Sequence, residues 1–274
     1  MKNFGQRIKT GILFLIVVLG SILWNEYAYF FVFGVIVVLA MIELKNLVKE
    51  AKIQVQTGWA LAIGIFVYIL SFFISSEMIS SQWLLLLVPM IISIFITELY
   101  RKSETPLMNI AGTLIVPFYI AVPFSSLHFL AFQSGSYEYG LLFGFFIVIW
   151  SNDIAAYLVG VKFGKRRLFE RISPKKSWEG AIGGFIAALL SAFILSYFFK
   201  NLSLTNWLIV GGIISVMGVF GDLTESMIKR SVNKKDSGNI LPGHGGVLDR
   251  FDCVIFAAPI VFCYLMLLQH LFNF

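Results

Sequence analysis

The side chains best suited to chemistry in this chain are a few acids and bases in an otherwise apolar sequence. Asp153 lies in Trp150-Ser151-Asn152-Asp153, and Asp222 and Glu225 lie in Gly221-Asp222-Leu223-Thr224-Glu225-Ser226, within long hydrophobic runs. A charge in such a run is costly unless it faces a cavity or a site, so these three acids are functional candidates. At helical spacing Asp222, Ser226 and Lys229 share one face, with Glu225 beside them. Further on, Asp249 and Asp252 stand three residues apart at the start of the last apolar run. Oxygen ligands gathered in this way suit a hard cation such as Mg²⁺, which normally keeps waters and substrate phosphates as its other ligands. Zinc is not indicated: His128, His244 and His270 are dispersed, and Cys253 and Cys263 sit in an apolar run as packing residues. Glu43 and Glu98, next to Lys45 and Arg101, are expected to be solvated or salt-bridged residues at helix ends.

Two polar loops carry most of the remaining candidates. The loop at 161–179 contains Ser173-Pro174-Lys175-Lys176-Ser177, followed by a helix that Ser177 is placed to cap. The two lysines and the helix N-terminus together predict an anion site. Gly160 to Lys165 only superficially matches a phosphate loop, being one spacer short with Arg166 at the Ser/Thr position. The loop at 229–251 contains Gly243-His244-Gly245-Gly246, flanked by Lys229, Arg230, Lys234, Lys235 and Arg250. A Gly-Gly turn lets backbone amides approach phosphate oxygens. With the acids, the two loops describe a site for a metal-bound polyphosphate.

The elements that must position these residues are set by composition. The chain has 274 residues, 58% of them apolar and only 13% charged, with a mean hydropathy of +0.86. Soluble domains average about 25% charged residues, and a water-soluble globule of this size could not bury so much apolar surface. The sequence therefore predicts an all-α, polytopic integral membrane protein with about nine transmembrane helices. The spans run roughly 10–24, 28–44, 58–75, 83–99, 109–128, 140–160, 180–199, 207–228 and 252–272. The first two are separated only by Asn25-Glu26-Tyr27 and should form a tight hairpin, so residues 1–24 are expected to be a span rather than a cleaved leader. Spans one to five, residues 1–135, form an N-terminal region. Residues 136–274, spans six to nine with both polar loops, form the catalytic region, and no soluble domain is expected.

Twenty of the 21 Lys and Arg residues fall in the five segments that a cytoplasmic N-terminus places inside, and Lys200 is the exception. The expected location is thus the cell membrane, with both polar loops cytoplasmic. Although the net charge is +6, the cations are juxtamembrane, so lipid head groups or a polyphosphate explain them better than nucleic acid.

The stretch 226–252 resembles the signature of the phosphatidate cytidylyltransferase, or CDP-diacylglycerol synthase, family. It is met by Ser226, Ile228, Lys229, Arg230, Lys235, Asp236, Gly238, Leu241, Pro242, His244, Gly245, Gly246, Val247, Asp249, Arg250, Phe251 and Asp252, without departure. Asp153, Ala156-Tyr157, Gly160, Gly164 and Ser173-Pro174-Lys175-Lys176-Ser177 with Glu179-Gly180 are also similar. Motifs cover about the last 130 residues, and the first 130 match only in hydropathy. The resemblance implies a reaction of CTP with phosphatidic acid that gives CDP-diacylglycerol and pyrophosphate. It also implies Mg²⁺, with a second cation as an option, and a homodimer in the lipid membrane. The metal-binding aspartates of the family match Asp222 and Asp249, and Asp153 is a further candidate ligand. Catalytic roles are expected for Asp222, Asp249, Lys175, Lys176 and Lys229. Substrate contacts are expected from Ser173, Ser226, Arg230, His244, Gly245, Gly246, Arg250 and Asp252.

The residue chemistry suits this reaction, since an anionic lipid phosphate needs charge neutralisation and alignment more than a strong base. Two alternatives remain at this level: a CTP-dependent lipid kinase attacking the γ-phosphorus, and an ion-coupled transporter using Asp153 and Asp222. The signature separates the first, and the absence of inverted repeats argues against the second.

Overall fold

In the computed structural model, residues 2–240 and 245–272 are described, with side chains placed over 11–240 and 245–271. Among the described residues nine α-helices follow in order: α1 (Lys2–Trp24), α2 (Glu26–Glu50), α3 (Thr57–Ser75), α4 (Leu87–Arg101), α5 (Pro106–Ala131), α6 (Tyr139–Phe163), α7 (Trp178–Phe198), α8 (Leu204–Ser231) and α9 (Leu248–Phe272). A 3₁₀ turn (Ser81–Leu86) leads into α4, and two short strands, β1 (Arg167–Phe169) and β2 (Ser173–Ser177), lie between α6 and α7. Eight of the described helical segments are long and apolar enough to cross a membrane, and Gly11–Trp24 within α1 is a shorter apolar helix. The protein is an all-α, multi-pass membrane protein. Large apolar side chains such as Phe31, Leu99, Tyr100, Phe118 and Phe198 are exposed, the surface expected of a bundle whose solvent is lipid.

The chain forms two compact units. One comprises Met1–Tyr137 together with Ser231–Arg250, and the other Glu138–Arg230 with Phe251–Phe274. The first unit therefore takes in most of the second polar loop.

In the first unit, α1 and α2 make the predicted hairpin with Asn25 as the single intervening residue. Its extended backbone ends α1, and its side chain accepts from the Ala28 amide at 2.8 Å to cap α2. Helices α2, α3 and α5 close around Gly64, where a Cβ would lie 2.9 Å from Met41 Cε and 3.4 Å from Pro117 Cβ. Buried Tyr29, Phe33, Phe72 and Phe124 fill the interior. His128 is enclosed among Tyr29, Tyr68 and Phe72, with its Nδ1 3.0 Å from the Tyr29 hydroxyl. This histidine is part of the aromatic packing of the unit.

In the second unit, α6 and α7 pack face to face through glycines of α7. A Cβ at Gly180 would lie 2.8 Å from the Ala156 carbonyl oxygen, and one at Gly184 would lie 2.9 Å from that of Asn152. Small residues let helix backbones approach closely where lipid provides no hydrophobic drive for association. The polar segment 161–179, read from sequence as a loop, instead contains the antiparallel β1–β2 hairpin pairing Arg167 with Ser177 and Phe169 with Ser173. Pro- and Lys-rich β2 lacks the apolar alternation that marks a strand, so sequence reasoning missed it.

Candidate active site

The second unit gathers Asp153 from α6, Lys176 from β2, Asp222 from α8 and Asp252 from α9. Ser177 Oγ accepts from the Gly180 amide at 3.2 Å and so caps α7 as predicted. Just beyond, the Glu179 carboxylate accepts from the Lys165 and Arg166 amides at 3.0 and 3.2 Å, clamping the turn after α6 to the start of α7. These bonds fix the hairpin and hence Lys176. Lys175 is exposed, whereas Lys176 is half-buried and its ammonium forms an ion pair with Asp222 Oδ2. The sequence had treated the two lysines as equivalent. Their surroundings separate them.

Ser226 donates to Asp222 Oδ1 at 3.2 Å, one turn along α8, as the shared face predicted. Asp153 accepts from Asn152 Nδ2 at 3.3 Å, with Cys253 Sγ 3.9 Å away. Ser215 donates to Asn152 Oδ1 at 2.6 Å and thereby orients the amide beside Asp153. Asp252 Oδ1 accepts from the Cys253 amide at 2.8 Å. Its backbone carbonyl packs against Gly221, where a Cβ would have no room. Asp153, Asp222 and Asp252 are within electrostatic reach of one another and of Lys176. Three carboxylates facing one lysine leave a local excess of negative charge, an environment that attracts a cation.

Glu225 and Lys229 pair with each other at 2.8 Å, both buried, one turn apart on α8. Lys229 is thus directed along its own helix, while Arg230 beside it is exposed. Ser173 is half-buried at the start of β2. Cys253 and Cys263 are free thiols; Cys253 is buried, in keeping with the packing role read from sequence, whereas Cys263 is exposed and departs from it.

The described residues of the signature loop between Ser231 and Arg250 belong to the first unit and are held by carboxylates. Asp249 Oδ2 accepts from the amides of Ser237 at 3.0 Å and Gly246 at 2.8 Å. Gly245 has φ +87°, a left-handed backbone that only glycine adopts freely. The Gly246 amide, predicted to face phosphate, is engaged by Asp249. Arg250 is exposed on the first turn of α9, and His244 lies outside the described residues. Lys234 pairs with Glu50 at 3.2 Å.

Glu98 is bridged to Arg101 at 2.9 Å, as expected, and also accepts from Asn109 and Gln56. Glu43 differs from expectation. It is 2% exposed, and the signature loop supplies its partners: Ser237 Oγ at 3.1 Å, the Val247 amide at 3.0 Å and the Leu248 amide at 2.8 Å. The reason is the surplus of donors at the start of α9, which draws a carboxylate. Sequence reasoning also missed Asn152 and Ser215, whose only signal was a polar side chain at an apolar position.

Among the described residues no three His, Cys, Asp or Glu side chains converge closely enough to enclose a metal by themselves. Mg²⁺ makes no such demand, since one or two carboxylates together with substrate phosphates and waters complete its shell. The half-exposed Asp222 carboxylate, with acidic neighbours and a displaceable lysine, fits that mode of binding.

An all-α membrane scaffold carrying this acid–lysine cluster and the Ser226–Asp252 signature defines a membrane-embedded nucleotidyltransferase. The chain belongs to the cytidylyltransferase family, whose pattern it matches over residues 5–268. It is 32% identical over 276 residues to the phosphatidate cytidylyltransferase of Bacillus subtilis, covering 97% of this chain and 99% of that protein. The Staphylococcus aureus enzyme of the same name is 33% identical over 257 residues, 93% of this chain and 96% of that one. A 124-residue stretch is 48% identical to the phosphatidate cytidylyltransferase of Haemophilus influenzae, 43% of each chain.

Proposed function

We propose that this protein transfers CMP from CTP to phosphatidic acid, giving CDP-diacylglycerol and pyrophosphate. The end-to-end relationship to phosphatidate cytidylyltransferases carries this reading, and the Lys176–Asp222 cluster supplies a chemistry to match it. A phosphatidic acid oxygen attacks the α-phosphorus of CTP, forming one P–O bond while the bond to the β-phosphate oxygen breaks. The nucleophile is already anionic, so no base is needed. The requirement is to hold two anions together in line.

Lys176 meets that requirement by exchange. Its ammonium, now satisfied by Asp222, can turn to a phosphate oxygen when substrate arrives, and Ser226 keeps the freed carboxylate oriented. Mg²⁺ is the cofactor of this proposal, and it would polarise the α-phosphate and stabilise the departing pyrophosphate. Asp222 is the ligand favoured by the local geometry, Asp249 is added by the signature, and Asp153 and Asp252 contribute negative charge. Arg230 and Arg250, exposed next to the signature acids, are assigned to phosphate contacts. The proposal includes a cytoplasmic site, supported by the placement of the basic residues, and a homodimer, supported by the family resemblance alone.

Labelled CTP tests the reaction. With purified protein in detergent, Mg²⁺ and phosphatidic acid, label in the α-phosphate should enter the lipid and label in the γ-phosphate should appear in pyrophosphate. Transfer of the γ-label to lipid would replace this reading with that of a lipid kinase.

A further inference from the structure

Glu43 lies in α2, far in sequence from every residue with a proposed role in the reaction, yet nearly every polar atom it offers is spent on the signature loop. Its carboxylate receives the Ser237 hydroxyl and the Val247 and Leu248 amides. The last two open α9, so Glu43 acts as a capping group supplied from another helix. The loop is shaped to admit it. A Cβ on Gly238 would fall 2.8 Å from Glu43 Cδ and 3.0 Å from Cγ, and one on Gly246 would also fall 2.8 Å from Cδ. Two glycines of the signature are therefore small where the carboxylate of Glu43 passes between them.

Ser237 links this anchor to the proposed metal ligand. Its hydroxyl donates to Glu43 while its amide donates to Asp249 Oδ2, which also holds the Gly246 amide. A shift of Glu43 would move Ser237 and the 246–248 turn together. Both of these Asp249 bonds would move with them.

We propose that Glu43 is a positioning residue of the transfer reaction, fixing the signature loop so that Asp249 is presented in one conformation. The inference rests on the proposed cytidylyltransfer and gives α2 of the N-terminal unit a role in it. Outer groups that orient a metal ligand typically change metal affinity or activity by about 10–100-fold when removed. Glu43→Gln, which replaces an acceptor with a donor facing other donors, should raise the Mg²⁺ concentration for half-maximal activity about tenfold and lower kcat within that range.

The closing experiment compares full-length wild type with Glu43→Gln, Glu43→Ala, Gly238→Ala and the Glu43→Ala/Gly238→Ala double variant, in detergent. Three quantities are read: the half-activating Mg²⁺ concentration, the KM for CTP, and the rate of tryptic cleavage after Lys235, which is exposed beside Ser237. A lowered folded fraction reduces apparent kcat but leaves the first two unchanged. All single variants should raise the Mg²⁺ requirement and speed cleavage. Gly238→Ala should add less than about twofold in the Glu43→Ala background, because the obstructing carboxylate is gone. If Glu43→Ala does not yield folded protein, Glu43→Gln and Gly238→Ala carry the test. Variants with Mg²⁺ requirement and cleavage within twofold of wild type overturn the inference, as do multiplicative effects in the double variant. Wild type inactive on CTP and phosphatidic acid but cleaved faster after Glu43→Gln would refute the proposed reaction while retaining the loop anchor.

Discussion

Glu43 in the first unit and Asp222 in the second are both membrane-helix carboxylates, but their surroundings differ. Glu43 is buried and receives fixed donors, two of them backbone amides. Asp222 is about one-third exposed and held by two flexible side chains, Lys176 and Ser226. Donors on the backbone cannot leave without unfolding the loop, whereas a lysine can exchange one anion for another. Main-chain donors therefore fix Glu43 in the loop, whereas side-chain donors leave Asp222 able to exchange them for a ligand.

The sharpest way to break this comparison is to neutralise Asp222. Asp222→Asn should leave the Lys176 ammonium without its counter-charge and remove the favoured Mg²⁺ ligand. Because this site is partly open, the loss should appear in turnover, falling roughly a hundred- to a thousandfold, with little change in thermal unfolding in detergent. Asp249→Asn should lower turnover comparably and also loosen the loop, since its oxygen holds two amides. Near-normal rates at limiting Mg²⁺ for both would remove them from the metal site.

A smaller effect separates the two lysines. Lys176→Met should lower kcat/KM by roughly 10–100-fold, the loss of one charge-assisted hydrogen bond of about 1.5–3 kcal/mol. Lys175→Met, on the exposed face of β2, should cost less than about 1 kcal/mol and weaken further in salt. Equal losses at the two positions would contradict a special role for the Lys176–Asp222 ion pair.

The smallest effect concerns the support beneath the acids. Gly221→Ala would press a methyl group onto the Asp252 carbonyl, and overpacking of this kind costs about 1–3 kcal/mol. The melting temperature should fall while the Mg²⁺ requirement stays near that of wild type. An unchanged melting temperature would show that α8 and α9 have slack at this level.

The helices were legible because twenty-residue apolar runs leave few other solutions, and the observed bounds fall within a few residues of those expected, apart from α1, which begins at Lys2, and longer ends on α2 and α9. The Asp222–Ser226 contact was legible because a helix brings i and i+4 together. The ion pair between Lys176 and Asp222 was not, since it depends on a hairpin whose strand carries no apolar pattern. Glu43 was misread as an end residue beside Lys45 because its partners are about 200 residues away in sequence, 194 in the case of Ser237. Nothing local encodes a bond of that span. Gly238 and Gly246 carried the only trace, as small residues whose reason lay elsewhere in the chain.

That long span sets an order of events during synthesis. Glu43 leaves the ribosome well before Ser237, and at about 5–20 residues per second the interval is roughly 10–40 s. Throughout it the carboxylate has none of its loop donors, and water at the membrane surface must hold it. The N-terminal helices enter the bilayer early, but their polar latch closes only when the start of α9 arrives. Completion of the N-terminal unit is therefore timed by a segment made 205 residues after Glu43, in the case of Leu248.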